Sequence, residues 1–201
     1  SNHVRVSRNG MTTTRTAILL TALLVTCTPL AAAQQDEPDP ALIALLRIAA
    51  TEVDSFPDHF DAQVWLTDMS ARLARQVRDP EERIEILKRV HFEATRADLP
   101  PELVLAVIDV ESNFDRYAIS VAGARGLMQI MPFWLNEIGR PDDNLLHIDT
   151  NLRFGCTILK YYLEMENGDL SRALGRYNGS LGKRKYPNKV LDRLRLKWYR
   201  A

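Results

Sequence analysis

Glu111 closes a stretch, Pro101-Glu-Leu-Val-Leu-Ala-Val-Ile-Asp-Val-Glu111, that reads as a helix opened by Pro100-Pro101. At about 100° per residue, Val104, Val107, Ile108 and Glu111 share one stripe, and Glu102 and Asp109 fall together on the opposite side. Glu111 therefore goes with the core face. Burial disfavours its charged form, and the carbonyl end of its own helix is negative, so both effects raise its pKa toward the range of a general acid. A helix-end carboxylate paired with Arg116 or Arg125 is the structural alternative.

Other chemistries find less support. His59, His91 and His147 follow residue 33, with Cys156, and no HExxH or paired-Cys spacing is present, so no metal and no cofactor are expected. The three histidines read as surface or structural residues. A G-x-S-x-G nucleophile turn is missing, and Gly179-Ser-Leu-Gly182-Lys183 has Tyr177 where a phosphate loop has its first Gly. Asn178-Gly179-Ser180 matches a glycosylation sequon, a short pattern often met by chance. With 26 basic and 26 acidic residues in 201, the chain lacks the charge of a nucleic-acid binder. Its 46% hydrophobic and 26% charged residues describe a globular protein.

The elements that must position Glu111 are helices throughout. Apolar residues three and four apart mark 41–53 and 59–78. Asp79-Pro80 starts a helix to about Ala97, and further helices are expected near 127–138, 151–166, 169–177 and 187–199. The expected fold is all-α, with an N-terminal helical segment, 41–97, sharing a core with a catalytic segment, 98–190, and a basic C-terminal helix over 191–201. Cys156 lies at helix-face spacing with Leu152, Leu159 and Leu163 and reads as a buried, inert thiol.

Residues 1–33 comprise ten residues ahead of Met11 and then a secretory leader: Arg15, the apolar run from Ala17 to Val25, and Ala31-Ala-Ala33 before the linker 34–40. The run is too short for the ~20 residues of a membrane span, so cleavage, a periplasmic location and no transmembrane anchor are expected. Leu24-Val-Thr-Cys27 resembles a lipoprotein cleavage site, but bulky Thr26 departs from it. Loss of 1–33 leaves a single cysteine, Cys156, and hence no intrachain disulfide. Lys183–Ala201 carries eight Lys/Arg and one acid, Asp192, for a net +7, which invites weak electrostatic contact with an acidic cell wall. Leu191, Leu194 and Trp198 in the same segment argue for packing on the domain.

The 22 residues from Glu111 to Pro132 read E-S-x-F-x-x-x-A-x-S-x-x-G-A-x-G-L-M-Q-I-M-P. This pattern resembles the signature of the soluble lytic transglycosylase family, related in fold to goose-type lysozymes. Leu174-Gly-Arg-Tyr-Asn-Gly179 is similar to the family's second motif, though Arg176 precedes the Tyr where the family has small residues. With Asn151-Leu-Arg-Phe-Gly155 between them, the resemblance covers about 99–190. It implies a lysozyme-like helical domain that cleaves the glycan strands of peptidoglycan, with Glu111 as sole acid and base and 1,6-anhydromuramoyl ends as product. By the same resemblance, Ser120 and Gln129 contact the muramoyl sugar, Met128 walls the cleft, and Tyr177 with Asn178 closes it opposite the acid. A lysozyme-type hydrolase would need a second carboxylate, for which Asp115, Glu137 and Asp149 are candidates. A non-catalytic wall-binding or secretion-assembly module would keep the groove without turnover.

Overall fold

The computed structural model describes residues 55–199. The leader, Cys27, the linker and the helix expected at 41–53 lie outside the described residues. Within them the chain forms seven α-helices: α1 His59–Leu73, α2 Pro80–Arg96, α3 Pro101–Glu111, α4 Trp134–Ile138, α5 Ile148–Met165, α6 Leu170–Tyr177 and α7 Lys185–Arg193. A π-helical turn, Leu194–Trp198, continues α7. The all-α class stands, and among the described residues pairing is limited to isolated bridges at Ile119, Arg125 and Ile130.

Local chemistry sets the helix starts. Asp58 caps α1 by accepting the Asp61 amide at 2.9 Å, Asp79 caps α2 by accepting the Glu81 amide at 2.9 Å, and Asp169 caps α6 through the Arg172 amide at 3.0 Å. Pro80 and Pro101 occupy first-turn positions where no amide donor is needed. Met128 and its neighbours do not extend α4 back to 127 as expected. Gly126 and Gln129 have φ of 74° and 52°, and the Met128 amide bonds to the Asn151 side chain at 2.8 Å instead of to a preceding turn.

α3 is the central element. Leu103 to Ile108 are all buried, enclosed by α2, α7 and the π-helical turn. A large apolar side chain there contributes about 1.5–3 kcal/mol by burial, and truncation of Leu105 to Ala would cost roughly 2–5 kcal/mol. The enclosure also corrects the expectation for Asp109. It does not face solvent with Glu102 but is 7% exposed, because α3 meets neighbours on every side. Its carboxylate accepts from Lys197 Nζ at 2.9 Å and Trp198 Nε1 at 3.1 Å, with Arg193 Nε at 3.5 Å. Glu102, half-buried, accepts from Trp65 Nε1 at 2.8 Å.

One apolar cluster runs from Ala62 through α3 and α5 to Trp198. The basic segment after 183 therefore divides in two. Arg193 and Lys197 hold Asp109, Arg195 pairs with Asp192, and Trp198 is buried with Leu191 and Leu194 packed nearby. Lys183, Arg184, Lys185 and Lys189 stay exposed. α7 begins at Lys185, so it runs through position 190 without a break.

Candidate active site

Glu111 is the last residue of α3, and the chain turns sharply after it. Ser112 Oγ donates to the Leu127 carbonyl at 2.8 Å, while Asn113 and Phe114 both adopt left-handed backbone, φ 52° and 66°. A buried aromatic residue there is costly and must be held by its surroundings. Phe114 is held by Trp198, ring centroids 5.4 Å apart, and Asn113 by Gln76 Nε2 at 2.7 Å. The turn carries the chain from α3 into the loop that floors the site.

Among the described residues no arginine pairs with the Glu111 carboxyl. Arg116 turns instead to Glu85 and Glu82 at 3.6 and 3.9 Å, so the paired-carboxylate alternative is not adopted. Glu111 Oε1 accepts a 2.5 Å hydrogen bond from the Tyr186 hydroxyl. Burial raises the Glu111 pKa above the usual carboxylate range, and it outweighs the opposing effects of the Tyr186 hydrogen bond and the Lys189 charge. Burial and the adjacent Glu111 in turn hold the Tyr186 phenol well above its ordinary pKa, so it is a donor at neutral pH. No motif marked Tyr186 in the sequence; its only signal was an aromatic residue among the lysines of a basic helix.

Two glycines and one amide fix the floor. Asn151 Oδ1 accepts the Met128 amide, and its Nδ2 donates to the carbonyls of Leu145 at 2.7 Å and Arg125 at 2.8 Å. Gly126 presses so closely on Asn151 and the Leu145 carbonyl that a Cβ would collide with both. On α5, Gly155 leaves the space that the Met128 side chain fills. Met128, expected on the cleft wall, has no exposed surface and supports the floor from beneath. Its carbonyl accepts the Tyr177 hydroxyl at 2.8 Å, so Tyr177 ties α6 to the floor. Ser120 Oγ accepts the Ala124 amide at 3.1 Å, and Gln129 Nε2 donates to the carbonyls of Gly126 and Ala118 at 3.0 and 3.2 Å.

Glu111 stands at the border of two cavities. One, about 380 Å³, is lined on its far side by Asn178, Ser180, Lys183, Lys185 and Tyr186. The other, about 460 Å³, is lined by Ile119, Ser120, Gln129, Asn113 and Asp109. Glu111, Val110 and Lys189 belong to both. The structure thus brings Ser120 and Gln129 to one side of Glu111 and Asn178 to the other, while Met128 and Tyr177 line neither. Asp115, Glu137 and Asp149 line neither cavity, and Asp109 is engaged by Lys197 and Trp198. Among the described residues no cluster of His, Cys, Asp and Glu could hold a metal ion. His91 is packed on Phe56 at 3.4 Å and bonded to Ser55 at 2.8 Å, and burial lowers its pKa to about 4. The Cys156 thiol is buried and its pKa raised, as suits an inert residue. What remains is one protonatable carboxyl, with a phenol donor beside it, facing space on two sides.

These features define a helical protein with a partly buried acid, Glu111, free of any ion pair among the described residues at the meeting of two clefts. The chain belongs to the transglycosylase SLT domain family, whose model matches residues 89–193, from within α2 to the end of α7. It is 31% identical over 106 residues to the transglycosylase of Enterobacteria phage PRD1, covering 49% of this chain and 39% of that protein. It is 30% identical over 105 residues to membrane-bound lytic murein transglycosylase C of Haemophilus ducreyi, covering 44% of this chain and 29% of that protein. A solved structure, an inactive mutant of the lytic transglycosylase Slt from Pseudomonas aeruginosa, aligns at 24% identity with a TM-score of 0.43, covering 81% of this chain and 32% of that one. The chain thus spans well under half the length of the curated relatives it matches. Among the described residues no helix is long and apolar enough to cross a membrane.

Proposed function

We propose that this protein is a peptidoglycan lytic transglycosylase that cleaves between N-acetylmuramic acid and N-acetylglucosamine with Glu111 as its only acid and base. The observation that carries this reading is a Glu111 carboxyl of raised pKa, in the family-matched domain, between two cavities that hold no unengaged second carboxylate among the described residues. The protonated Glu111 gives its proton to the glycosidic oxygen as the C1–O bond breaks. The resulting carboxylate then takes the proton of the muramoyl C6 hydroxyl, whose oxygen bonds to C1 and closes a 1,6-anhydro ring. Glu111 ends protonated as it began: its first proton leaves on the departing sugar's hydroxyl, and its second comes from the C6 hydroxyl. An intramolecular nucleophile replaces a bound water, an advantage that can reach ~7–10 kcal/mol when the geometry is favourable, and the substrate's N-acetyl group can assist where a nucleophilic carboxylate is lacking.

Ser120 and Gln129 on one side and Asn178 on the other are the groups proposed to hold the sugars. Tyr177 and Met128 act on them through the floor. Digestion of purified sacculi followed by mass spectrometry tests the reading. Fragments one water lighter than lysozyme products, without a new reducing end, are expected; reducing muramic acid as the main product would reassign the protein as a hydrolase, and no cleavage at all would leave a wall-binding module.

The leader pattern within 11–33 supports export to the periplasm as a protein without lipid. Intact-mass analysis of protein from a bacterial host should find an N-terminus at Gln34, and a diacylated Cys27 would overturn it.

A further inference from the structure

Another cavity, about 490 Å³, lies where the turn after Glu111 meets the loop between α1 and α2. It shares Asn113 with the Ser120 cavity but not Glu111. Val77 and Phe114, both buried, give it an apolar base. The Tyr117 ring is 64% exposed beside it, and the Arg116 guanidinium lies 5.2 Å from the ring centroid, which holds the ring in place. Arg116 Nε is buried without an acceptor among the described residues, and the nearest oxygens to Arg116 Nη1, on Glu85 and Glu82, are 3.6 and 3.9 Å away. A buried donor left open is costly in a finished fold and is accounted for by an acceptor that a ligand brings. Asp115 Oδ1 accepts the Tyr117 amide at 2.9 Å, and its Oδ2 has no donor among the described residues. Two arginines, Arg78 and Arg116, stand against three acids, Asp79, Glu82 and Asp115, so the lining is close to neutral.

An exposed aromatic ring, an apolar base and interleaved donors and acceptors with little net charge suit an uncharged guest that has an apolar face and a polar edge. A sugar ring has both. An acetamido group adds a carbonyl that can accept from Arg116 Nε and a methyl that can rest on Val77 and Phe114. On the reading of this chain as a protein that works on wall glycan, we infer that the Tyr117 cavity is a second, non-catalytic binding site for N-acetylated sugar. Tyr117 stacks on one ring, Arg116 Nε donates to the acetamido carbonyl, and Glu82 and Asp115 accept from hydroxyls. Asp115, Arg116 and Tyr117 fill the three positions that the pattern E-S-x-F-x-x-x-A leaves open, so the site belongs to this chain rather than to the motif. Its role is retention: a glycan segment held there keeps the protein on the wall while Glu111 acts on another.

The test is an amide NMR titration with N,N′-diacetylchitobiose, a peptide-free disaccharide, on the wild-type chain, Tyr117→Ala and Tyr117→Phe. Amides of residues 76–79 and 115–117 should shift as one group, with an affinity separate from that of the group at Ser120 and Gln129. Tyr117→Ala should weaken binding at the first group by about fivefold or more, as truncation of an aromatic anchor does, and Tyr117→Phe, which keeps the ring, should retain it. Tyr117 is exposed, and unchanged amide positions elsewhere verify that the variants are folded. Co-sedimentation with sacculi should weaken in parallel for Tyr117→Ala, and the part that is lost should be insensitive to salt, because the site does not depend on net charge. Shifts confined to the cavities at Glu111, or a second group that Tyr117→Ala leaves unchanged, overturn the site and leave the transglycosylase reading intact. Absence of shifts at 76–79 and 115–117 overturns it whatever a digest of sacculi shows. A shifting second group in a protein that does not lyse sacculi upholds the site and overturns the transglycosylase reading in favour of a wall-binding module.

Discussion

The Tyr186 hydroxyl, from α7, donates to Glu111 Oε1 across 2.5 Å, so the acid that ends α3 is oriented by a residue 75 positions later. The bond favours the carboxylate and opposes the burial that raises the Glu111 pKa. The balance of these two effects sets how much of the carboxyl is protonated at working pH.

Glu111→Gln keeps the shape of the side chain but cannot transfer a proton. Activity on sacculi should fall at least 10²-fold, the lower range of acid–base catalysis, with an unchanged circular dichroism spectrum. Activity within about tenfold of wild type would remove Glu111 from its assigned role.

The same substitution has a pH signature in stability. A folded-state pKa above the unfolded value means that the protonated carboxyl favours the fold at low pH and that this contribution is lost as pH rises through the folded pKa. Relative to wild type, Glu111→Gln should therefore gain melting temperature at neutral pH and lose that advantage below the unfolded pKa of about 4.3. Thermal melts across pH check the sign.

Tyr186→Phe removes the donor and leaves burial unopposed except by Lys189. The Glu111 pKa should rise further, moving the alkaline limb of the kcat/KM profile to higher pH. A shift to lower pH would show that the hydroxyl plays some other part.

Asp109→Ala leaves the buried indole N–H of Trp198 without its acceptor and the Lys197 ammonium with the Gln76 side chain but no carboxylate. Lys197 and Arg193 are partly solvated, so the cost should be about 2–3 kcal/mol rather than the full penalty of a broken buried pair. Denaturant titration measures it. Asp109→Asn, which can keep the Trp198 bond, should lose less.

Gly155→Ala drives a Cβ into Met128 and should cost about 1–3 kcal/mol by overpacking. Because Met128 supplies the obstacle, Met128→Ala in the same chain should recover much of that loss, and a double-mutant cycle reads the coupling.

How much of this was legible in sequence depended on what encoded each feature. Asp79-Pro80 and Pro100-Pro101 are local signals, and α2 and α3 start where they place them. The partial burial of Glu111 followed from helical periodicity. The same periodicity failed for Asp109, because a stripe argument assumes one solvated face and α3 has none. The helix expected from 127 is a loop because Asn151, 23 residues later, takes the Met128 amide. Tyr186 was invisible for a related reason: its partner is fixed by how α7 packs on α3, which no spacing within either helix records.

The tie between Asp109 and the Lys197-Trp198 turn, reinforced by the Arg72 guanidinium donating to the carbonyls of those two residues, sets the order in which the molecule can be completed. α3 and its acid leave the ribosome long before Tyr186, Lys197 and Trp198. Until those residues are made and packed, Phe114 lacks the ring that holds its left-handed backbone, and Glu111 lacks its donor. Contacts this far apart in sequence form late. A chain made only as far as α6 thus carries Glu111 without the donor that orients it, and on the proposed reading it stays inert toward glycan until α7 and the Leu194–Trp198 turn have packed.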